Sequence, residues 1–341
     1  MRSTVAQSVG VDISKDTLDV AIHPGGESFR ITNNPEGHRA LIKRLKGFDI
    51  ARIVFEATGA YHRLFQQAMV EVGLPWVKVN PCQARRFAQA TGKLAKTDRC
   101  DALMLARMGA VLELETRAPA SKTVEALREL VNARDALIKD RVAALNRQAI
   151  AVSPLIKRQL AQRLRQIDGQ IEAIDRRLKT LRNADSDLCQ RFDILTSIPG
   201  IGEVTANVLV VETPELGHLE HAQAASLVGL APVPRDSGQT HGKRSIRGGR
   251  PRARQALYMP ALNAIRLNPE FKAKYEAMVK AGKPAKVAIV AIMRKLLILA
   301  NALIRDQRKW APPKLDEHGH YMGRLGKDRS ARERSPTEAR R

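Results

Sequence analysis

Short apolar segments alternate with amphipathic ones over the first 115 residues, and this pattern restricts the fold more than any other feature of the chain. Three apolar segments come first and two more are enclosed by helical stretches; they cover residues 9–12, 18–22, 29–32, 52–55 and 77–79. The predicted order is β-β-β-α-β-α-β-α. Strands that are separated by helices belong to a sheet with helices packed on it. We therefore predict a three-layer α/β domain for residues 1–115.

A regular apolar seam marks the next region, where the spacing between successive apolar residues alternates between four and three. The seam consists of Leu160, Leu164, Ile167, Ile171, Ile174, Leu178 and Leu181. This is the a/d spacing of a coiled coil, and Pro154 separates it from a preceding helix over residues 124–149. A helical hairpin within one chain and a coiled coil between subunits fit the seam equally well. We predict a helical, coiled-coil oligomerisation region over residues 116–190.

The rest of the chain divides by composition into a globular part and a polar part. Residues 191–310 contain apolar helical stretches joined by Gly- and Pro-rich connections, which predicts a mainly helical C-terminal domain. Residues 311–341 contain charges of both signs and few apolar residues, which is typical of a disordered tail. The predicted fold class is α/β plus α.

An excess of basic residues indicates a polyanionic partner. The chain has 58 Lys and Arg against 35 Asp and Glu, which gives a formal net charge of +23. Nucleic acid and an anionic membrane surface both suit such a charge. A membrane span is disfavoured because the most apolar stretch, 287–304, contains Arg294 and Lys295. The three cysteines are too far apart for a disulfide framework or a zinc knuckle, so we expect a cytoplasmic protein. With nucleic acid as the partner, we expect it to be associated with the nucleoid.

Four carboxylates stand out in the first domain. Asp12 closes the first predicted strand and Glu56 closes the fourth, while Asp98 and Asp101 share one face of a predicted helix. An acid at the end of an apolar strand is not needed for folding, and a bound cation would offset its desolvation. Mg²⁺ prefers oxygen ligands, and two such ions can stabilise the attacking and leaving oxygens of a phosphodiester. The set predicts a magnesium site, although each acid alone could be a cap or turn residue.

A basic segment of the C-terminal domain surrounds Ser237. It contains Arg235, Lys243, Arg244, Arg247, Arg250, Arg252 and Arg254. Four glycines and one proline keep its first part from being helical, and such a loop suits a phosphate backbone. Ser237 could be a phosphate contact, a turn residue or a nucleophile, since no neighbouring pair of residues uniquely marks an activating base. His241 is a candidate base or a phosphate donor.

The segment SIPGIG, residues 197–202, lies between two predicted helices. Its glycines Gly200 and Gly202 would let backbone N–H groups and a helix N-terminus face a phosphate. The pattern is that of a helix-hairpin-helix motif for nucleic acid, and a plain pair of antiparallel helices is the alternative.

These segments together resemble a known family. The motifs are VGVDISKDTLDV, FEATGAY, KTDRCDALMLA, SIPGIG, LVGLAP, the serine of DSG, RQALYMPA and KVAIVAIMRKL, and they extend from Val9 to Asp306. The chain resembles the DEDD transposases of bacterial insertion sequences, a family that includes the Piv-type DNA invertases and the bridge-RNA-guided recombinases. No departure from the family pattern occurs at Asp12, Glu56, Asp98, Asp101 or Ser237.

The resemblance implies more than composition and spacing do. It implies a RuvC-like (RNase H-like) first domain in which Asp12, Glu56, Asp98 and Asp101 bind Mg²⁺. It implies that Ser237 is the nucleophile that forms a phosphoserine link with DNA, and that strands are exchanged through a Holliday-type junction. The implied partners are target and donor DNA, a noncoding bridge RNA and further copies of the chain, in a dimer or a dimer of dimers. The tail after Asp306 has no implied role.

Two other functions stay open from the residues alone. A metal-dependent junction nuclease would use water as the nucleophile at the same four acids and would need no serine. A non-catalytic nucleic-acid-binding protein would use only the basic loop and the hairpin motif.

Overall fold

The computed structural model describes residues 6–56, 59, 61–92, 98–114, 121–234, 236–238, 240–242, 244–312, 314–315 and 321–322. The chain divides into two compact units, Met1–Ala120 and Ser121–Arg341.

The first unit contains one five-stranded sheet. Its strands are β1 (Gln7–Ile13), β2 (Thr17–His23), β3 (Ser28–Thr32), β4 (Ile50–Glu56) and β5 (Trp76–Val79). Their spatial order is β3-β2-β1-β4-β5. Neighbours joined by short turns, β1–β2 and β2–β3, are antiparallel, whereas β1–β4 and β4–β5 are parallel because a helix connects each new strand. The predicted α/β fold of this region is confirmed as a mixed sheet.

Helices cover both faces of this sheet. They are α1 (Pro35–Leu45), α2 (His62–Glu71), α3 (Pro81–Ala90) and α4 (Asp98–Val111). Successive strand residues point to opposite faces, so Val11 and Phe55 pack with Leu41 of α1 and Phe65 of α2. On the other face, Val54 packs with residues of α3 and α4. The result is a three-layer arrangement with a separate apolar core on each face of the sheet.

Asparagine and proline start two of these helices. Asn34 accepts a hydrogen bond from the Gly37 N–H, and Pro35 occupies the first turn of α1. Asn80 accepts one from the Cys82 N–H, and Pro81 begins α3. Proline suits the first turn because its missing N–H would have no helical partner there.

The second unit is mostly helical. Its elements are α5 (Lys122–Ile150), α6 (Pro154–Asn183), α7 (Ser186–Ser197), α8 (Glu203–Glu212), α9 (His221–Leu227), β6 (Pro232–Val233), β7 (Asp236–Ser237), β8 (Thr240–His241), β9 (Ser245–Ile246), α10 (Pro251–Ala256), α11 (Tyr258–Leu267), α12 (Pro269–Lys280), α13 (Ala285–Arg305), β10 (Lys314–Leu315) and β11 (Tyr321–Met322).

The heptad seam is buried inside this unit. Helices α5 and α6 pack as an antiparallel hairpin, and the ion pairs Arg134–Asp175 (2.7 Å) and Arg141–Asp168 (2.6 Å) join them. Leu164, Ile167, Ile171 and Leu178 of the seam are buried. The seam therefore has a partner within the same chain, as the intramolecular interpretation predicts. The predicted role of this region in oligomerisation stays a prediction.

Helix α13 forms the centre of the second unit. It is the one helix in the described part of the chain whose length and composition would allow it to cross a membrane, and 61% of its apolar window is buried within the protein. The fully buried Asn301 donates to the Leu219 carbonyl (2.7 Å) and accepts from the Gly217 N–H (2.8 Å). The satisfied hydrogen bonds of the buried Asn301 and the extensive burial of α13 are typical of a core helix.

The predicted domain boundaries stay a prediction, and two observations concern them. Helices α5 and α6, predicted as a region of their own over residues 116–190, belong to the same compact unit as the C-terminal helices. Most of the tail predicted as disordered, 311–341, lies outside the described residues; within it, Lys314–Leu315 and Tyr321–Met322 pair as a two-stranded antiparallel ladder.

Candidate active site

Asp12 and Glu56 lie side by side at one edge of the sheet. Strands β1 and β4 are parallel and pair Val11 with Phe55, so the next residues, Asp12 and Glu56, are neighbours on adjacent strands. Both occupy the face that α4 covers, because Gly10 and Val54, two residues earlier, pack against that helix. Both are half-buried. The carboxyl ends of parallel strands are the usual place of ligand sites in α/β folds.

Helix α4 crosses β1 in a direction that brings its first turn toward this edge. A Cβ on Gly109 would overlap the Ser8 hydroxyl, and a Cβ on Gly10 would overlap the backbone of Ala102 and Ala106. Moving along β1 toward Asp12 therefore means moving along α4 toward its N-terminus. A strand rises about 3.3 Å per residue and a helix 1.5 Å, so the position of Asp12 corresponds to the first turn of α4.

The other two predicted acids belong to that first turn. Asp98 begins α4 and Asp101 lies one turn further along. Asp101 is half-buried, whereas the side chain of Asp98 lies outside the described residues. The structure thus brings Asp12, Glu56 and the start of α4 to one edge of the sheet.

The donor set fits a hard cation in its chemistry. Carboxylate oxygens are the ligands that Mg²⁺ prefers, usually together with water and phosphate oxygens. Among the residues that the structure describes, which do not include the side chain of Asp98, no three His, Cys, Asp or Glu residues form a group that could hold a metal ion. A site here would therefore use the two strand carboxylates together with the acids at the start of α4.

Asp19, which the sequence did not mark as a site residue, is a buried carboxylate beside Asp12 on the same face of the sheet. Asp19 of β2 pairs directly with Asp12 across the antiparallel ladder, and only 8% of its surface is exposed. Arg30 of β3 pairs with Asp19 in turn and binds both of its carboxylate oxygens. The signal was present in the sequence, since the turn Ser14-Lys15-Asp16 sets a hairpin register that places Asp19 opposite Asp12.

Ser237 lies at the tip of a β-hairpin. Residues 232–246, here called the serine arm, contain two short antiparallel ladders: Pro232–Val233 with Ser245–Ile246, and Asp236–Ser237 with Thr240–His241. Only Gly238 and Gln239 separate Ser237 from its partner Thr240, and Gly238 has a φ of 54°, a value that suits glycine in a tight hairpin turn. Ser237 is exposed.

Two backbone segments cross at the base of the serine arm without side chains between them. A Cβ on Gly229 would overlap the Gly248 carbonyl, and one on Gly249 would overlap the Gly229 N–H. The guanidinium of Arg254 donates to the Val228 carbonyl (2.9 Å) and to the Gly248 carbonyl (2.7 Å), which joins the two segments. The base of the arm is therefore fixed mainly through backbone contacts.

The seven basic residues that were predicted to bind nucleic acid lie in different environments. Arg244 and Arg247 are exposed, while Arg235 and Lys243 lie outside the described residues. Arg250 instead binds Glu215 through two hydrogen bonds (2.6 Å and 2.5 Å) and donates to the Glu212 carbonyl. Their predicted role in binding nucleic acid stays a prediction.

Arg252 and Arg254 also have partners within the protein. Arg252 of α10 binds Asp135 of α5 (2.6 Å) and the Val131 carbonyl (2.8 Å), and it contacts Asn132 as well. With Arg254 at the base of the serine arm and Arg250 beside Glu215, three of the seven arginines and lysines hold the second unit together. Composition alone could not separate them from Arg244 and Arg247, since their partners are remote in sequence.

The SIPGIG segment connects α7 to α8. Gly200 has a φ of 95°, and a Cβ there would lie 2.6 Å from the Pro260 carbonyl oxygen, so this glycine packs closely against α11. Gly202 caps the N-terminus of α8 and has open space where a Cβ would be. The first glycine thus serves packing within the protein, and the second leaves the start of α8 accessible.

Comparison with known proteins identifies the class to which this protein belongs. Residues 9–152 match the IS110-type DEDD family described as "Transposase", and residues 192–276 match the "Transposase IS116/IS110/IS902 family". The pilin gene-inverting protein of Moraxella lacunata is 31% identical over 310 residues, which cover 88% of this chain and 96% of that protein. The transposase for insertion sequence element IS1111A of Coxiella burnetii is 24% identical over 266 residues, covering 67% of this chain and 70% of that protein.

A third relative is the insertion element IS110 uncharacterized 43.6 kDa protein of Streptomyces coelicolor, 29% identical over 182 residues that cover 50% of this chain and 43% of that protein. The chain is a DNA recombinase of the transposase class. It belongs to the IS110 family of insertion-sequence transposases, as the resemblance in its motifs predicted.

Proposed function

We propose that this transposase cuts and rejoins DNA through a covalent link between Ser237 and a DNA phosphate. The observation that carries the proposal is the exposed position of Ser237 one residue before the turn of the serine arm. A nucleophile must reach a phosphorus atom within a bulky duplex, and a hydroxyl at the tip of a hairpin with a fixed base meets that requirement.

The covalent step conserves the number of phosphoester bonds. The Ser237 hydroxyl oxygen attacks phosphorus, a serine–phosphate bond forms and one sugar–phosphate bond breaks. Overall, the serine proton ends on the leaving sugar oxygen, which becomes a hydroxyl. A sugar hydroxyl of another strand then attacks the phosphoserine, releases the serine and restores a phosphodiester. Rejoining therefore requires no ATP.

Asp12, Glu56, Asp98 and Asp101 are the residues that would hold Mg²⁺ in this proposal. The cation supplies charge stabilisation to the phosphate oxygens when bound. The support is the pairing of β1 with β4, the direction of α4 and the oxygen-only donor set. We further propose that the first unit has a RuvC-like (RNase H-like) fold, with which its mixed sheet and strand order are compatible.

We propose that the nucleic acid is held mainly through its phosphates. Arg244 in the serine arm and Arg247 directly after it are exposed, and Arg235 and Lys243 also belong to the arm. The accessible N-terminus of α8 at Gly202 would add backbone N–H donors, as in a helix-hairpin-helix motif. Target and donor DNA are the substrates, in the bacterial cytoplasm, a noncoding bridge RNA is the guide, and the active form is a homo-oligomer.

Removing the hydroxyl tests the covalent step. We expect Ser237→Ala to abolish the detergent-stable protein–DNA adduct that the parent protein forms with labelled element-end DNA, and Ser237→Cys to retain at most a small part of it. Ser245→Ala is the matched control, because Ser245 is also an exposed serine of the same arm. Mass spectrometry of the trapped peptide should locate the nucleotide on Ser237.

Two results would contradict the proposal. An adduct of undiminished yield in Ser237→Ala would exclude this serine as the nucleophile. Cleavage by Ser237→Ala that leaves hydrolysed ends would instead favour a junction nuclease that uses water.

A further inference from the structure

Four charged residues form a continuous row across the sheet of the first unit. Glu56, Asp12, Asp19 and Arg30 occupy neighbouring positions on β4, β1, β2 and β3, and are here called the charged row. Residues that pair directly across strands share a face, so the whole row lies on the face covered by α4. The proposed metal ligands therefore continue, without interruption, into an ion pair.

The ion pair is close and two-pronged. The Nε of Arg30 lies 3.0 Å from Oδ1 and 3.1 Å from Oδ2 of Asp19, and its Nη2 lies 2.9 Å from Oδ2. Only 12% of the Asp19 side chain is exposed, against 57% of the Arg30 side chain. Both oxygens of Asp19 thus have a cationic donor, and the carboxylate itself is largely shielded from solvent while the arginine side chain stays exposed.

Asp19 is a costly residue at this place unless it serves a purpose. Like charges directly opposite each other on an antiparallel pair are destabilising, and Asp19 faces Asp12. An apolar residue would fit a buried strand position of this kind at lower cost. Arg30 neutralises this second carboxylate, and Asp19 of β2 in turn fixes the position of the Arg30 guanidinium of β3.

We propose that the Asp19–Arg30 pair is a positioning device for the cation at Asp12, a proposal that rests on the metal site of the proposed function. Arg30 prevents Asp19 from competing for the cation, and Asp19 prevents the guanidinium from binding Asp12. The pair keeps the charge beside the site close to zero, so that the metal is held by Glu56, Asp12 and the acids at the start of α4.

The two halves of the pair are expected to act on metal affinity in opposite directions. In Asp19→Asn the guanidinium loses the Asp19 carboxylate and its attraction to Asp12 is no longer opposed there, so the affinity for a divalent cation should fall roughly tenfold, the lower end of what outer-shell changes cost. In Arg30→Gln the Asp19 carboxylate adds a negative charge next to Asp12, so the affinity should rise by a similar factor. The double variant should return close to the parent value.

Mn²⁺ titrated into the full-length protein without nucleic acid provides the measurement, with free Mn²⁺ followed by electron paramagnetic resonance. Arg30→Lys, which keeps the charge but cannot bind both oxygens, should give an affinity between those of the parent and Arg30→Gln. Arg44→Gln is the control, since Arg44 forms an ion pair with Glu27 outside the charged row. Thermal unfolding of each variant reports loss of stability separately.

The outcomes separate this inference from the proposed metal site. If Asp12→Asn does not weaken Mn²⁺ binding, both are overturned. If Asp12→Asn weakens it but the Asp19 and Arg30 variants shift the affinity in the same direction, or not at all, only the positioning role is overturned. A loss of thermal stability without a shift in affinity would make the pair a purely structural contact.

Discussion

At the scale of single residues, glycine at position 10 decides whether the candidate active site can form. Its missing side chain lets α4 lie directly on β1, and the atoms that a Cβ would meet are backbone atoms of Ala102 and Ala106, which cannot rotate away. The distance between the first turn of α4 and the strand ends depends on this close approach. The alanines facing Gly10 are themselves fully buried.

Gly10→Ala should therefore destabilise the first unit. We expect a loss of about 3 kcal/mol in the free energy of unfolding, the upper end of the usual cost of overpacking, measured by chemical denaturation. Gly47→Ala is the control in the same unit, because the nearest atom to its added Cβ would be 3.8 Å away. Its effect should stay within about 0.5 kcal/mol. Equal stability of the two variants would show that α4 can move away from β1.

Individual residues also show how far the sequence alone could lead. Asp12 and Glu56 could be recognised as candidate site residues because an acid at the end of an apolar strand is visible in the sequence itself. Asp19 could not be selected in the same way, because it lies inside a strand and its meaning depends on which residue faces it. Arg250 and Arg252 looked like their exposed neighbours in composition, whereas their partners Glu215 and Asp135 are remote in the chain.

At the scale of elements, the contact between α12 and α13 brings like charges together. Lys295 of α13 is half-buried and contacts Lys274 of α12. Burial, this contact and the nearby Arg294 lower the pKa of Lys295 to about 8, against the opposing effect of Glu270. The packing of these two helices is therefore less favourable when Lys295 carries a proton.

Replacement of Lys295 should reveal this as a dependence of stability on pH. The unfolded chain, in which the lysine has its usual pKa near 10.5, binds more protons than the folded one between pH 8 and 10.5. The penalty is therefore complete below pH 8 and is lost as the pH rises through this window. We expect Lys295→Met to be more stable than the parent at pH 7, with the difference disappearing toward pH 10.5 in thermal unfolding.

Lys272→Met is the matched control, because Lys272 is an exposed lysine of α12. It should not show a stability difference that changes over the same range. A constant difference between Lys295→Met and the parent at all pH values would mean that lost packing, and not proton binding, causes the effect.

The architecture of the elements was more predictable than their partners. The order of strands and helices in the first unit follows from periodicity and turn residues, and it is confirmed. The heptad seam was compatible with a partner in the same chain or in another, because a/d spacing specifies an apolar face and not what covers it. The ion pairs Arg134–Asp175 and Arg141–Asp168 show the intramolecular register, and they join residues 41 and 27 positions apart.

At the scale of the whole molecule, the net charge of +23 favours binding to the polyanionic DNA on which a transposase acts. Each phosphate that a basic side chain neutralises releases counterions, so affinity falls steeply as salt rises. The arginines that are already bound to carboxylates inside the protein contribute less to this effect, since their charge is compensated. The exposed Arg244 in the serine arm and Arg247 directly after it should therefore account for a larger share of the salt dependence.

Salt titrations can separate these two kinds of arginine. The double variant Arg244→Gln/Arg247→Gln should reduce the slope of log K against log salt by about 2, with thermal stability unchanged. Arg252→Gln should lower the stability of the second unit, because Asp135 and Glu212 lose their partner, and should change the slope less. Fluorescence anisotropy with a labelled DNA duplex provides the affinities. An equal slope change for both variants would contradict the distinction.

The glycine crossing at the base of the serine arm has a consequence for how such enzymes diversify. Gly229 and Gly249 fix the point from which the hairpin leaves the helices, and Arg254 secures it through carbonyl groups only. Asp236, Ser237, Arg244 and Ser245 lie beyond that point and are exposed, so substitutions there should not require repacking of the helical core. Equal insertions in the two strands of the arm could lengthen the reach of the hydroxyl while preserving its orientation. An arm from another recombinase could likewise be joined to the same glycine crossing.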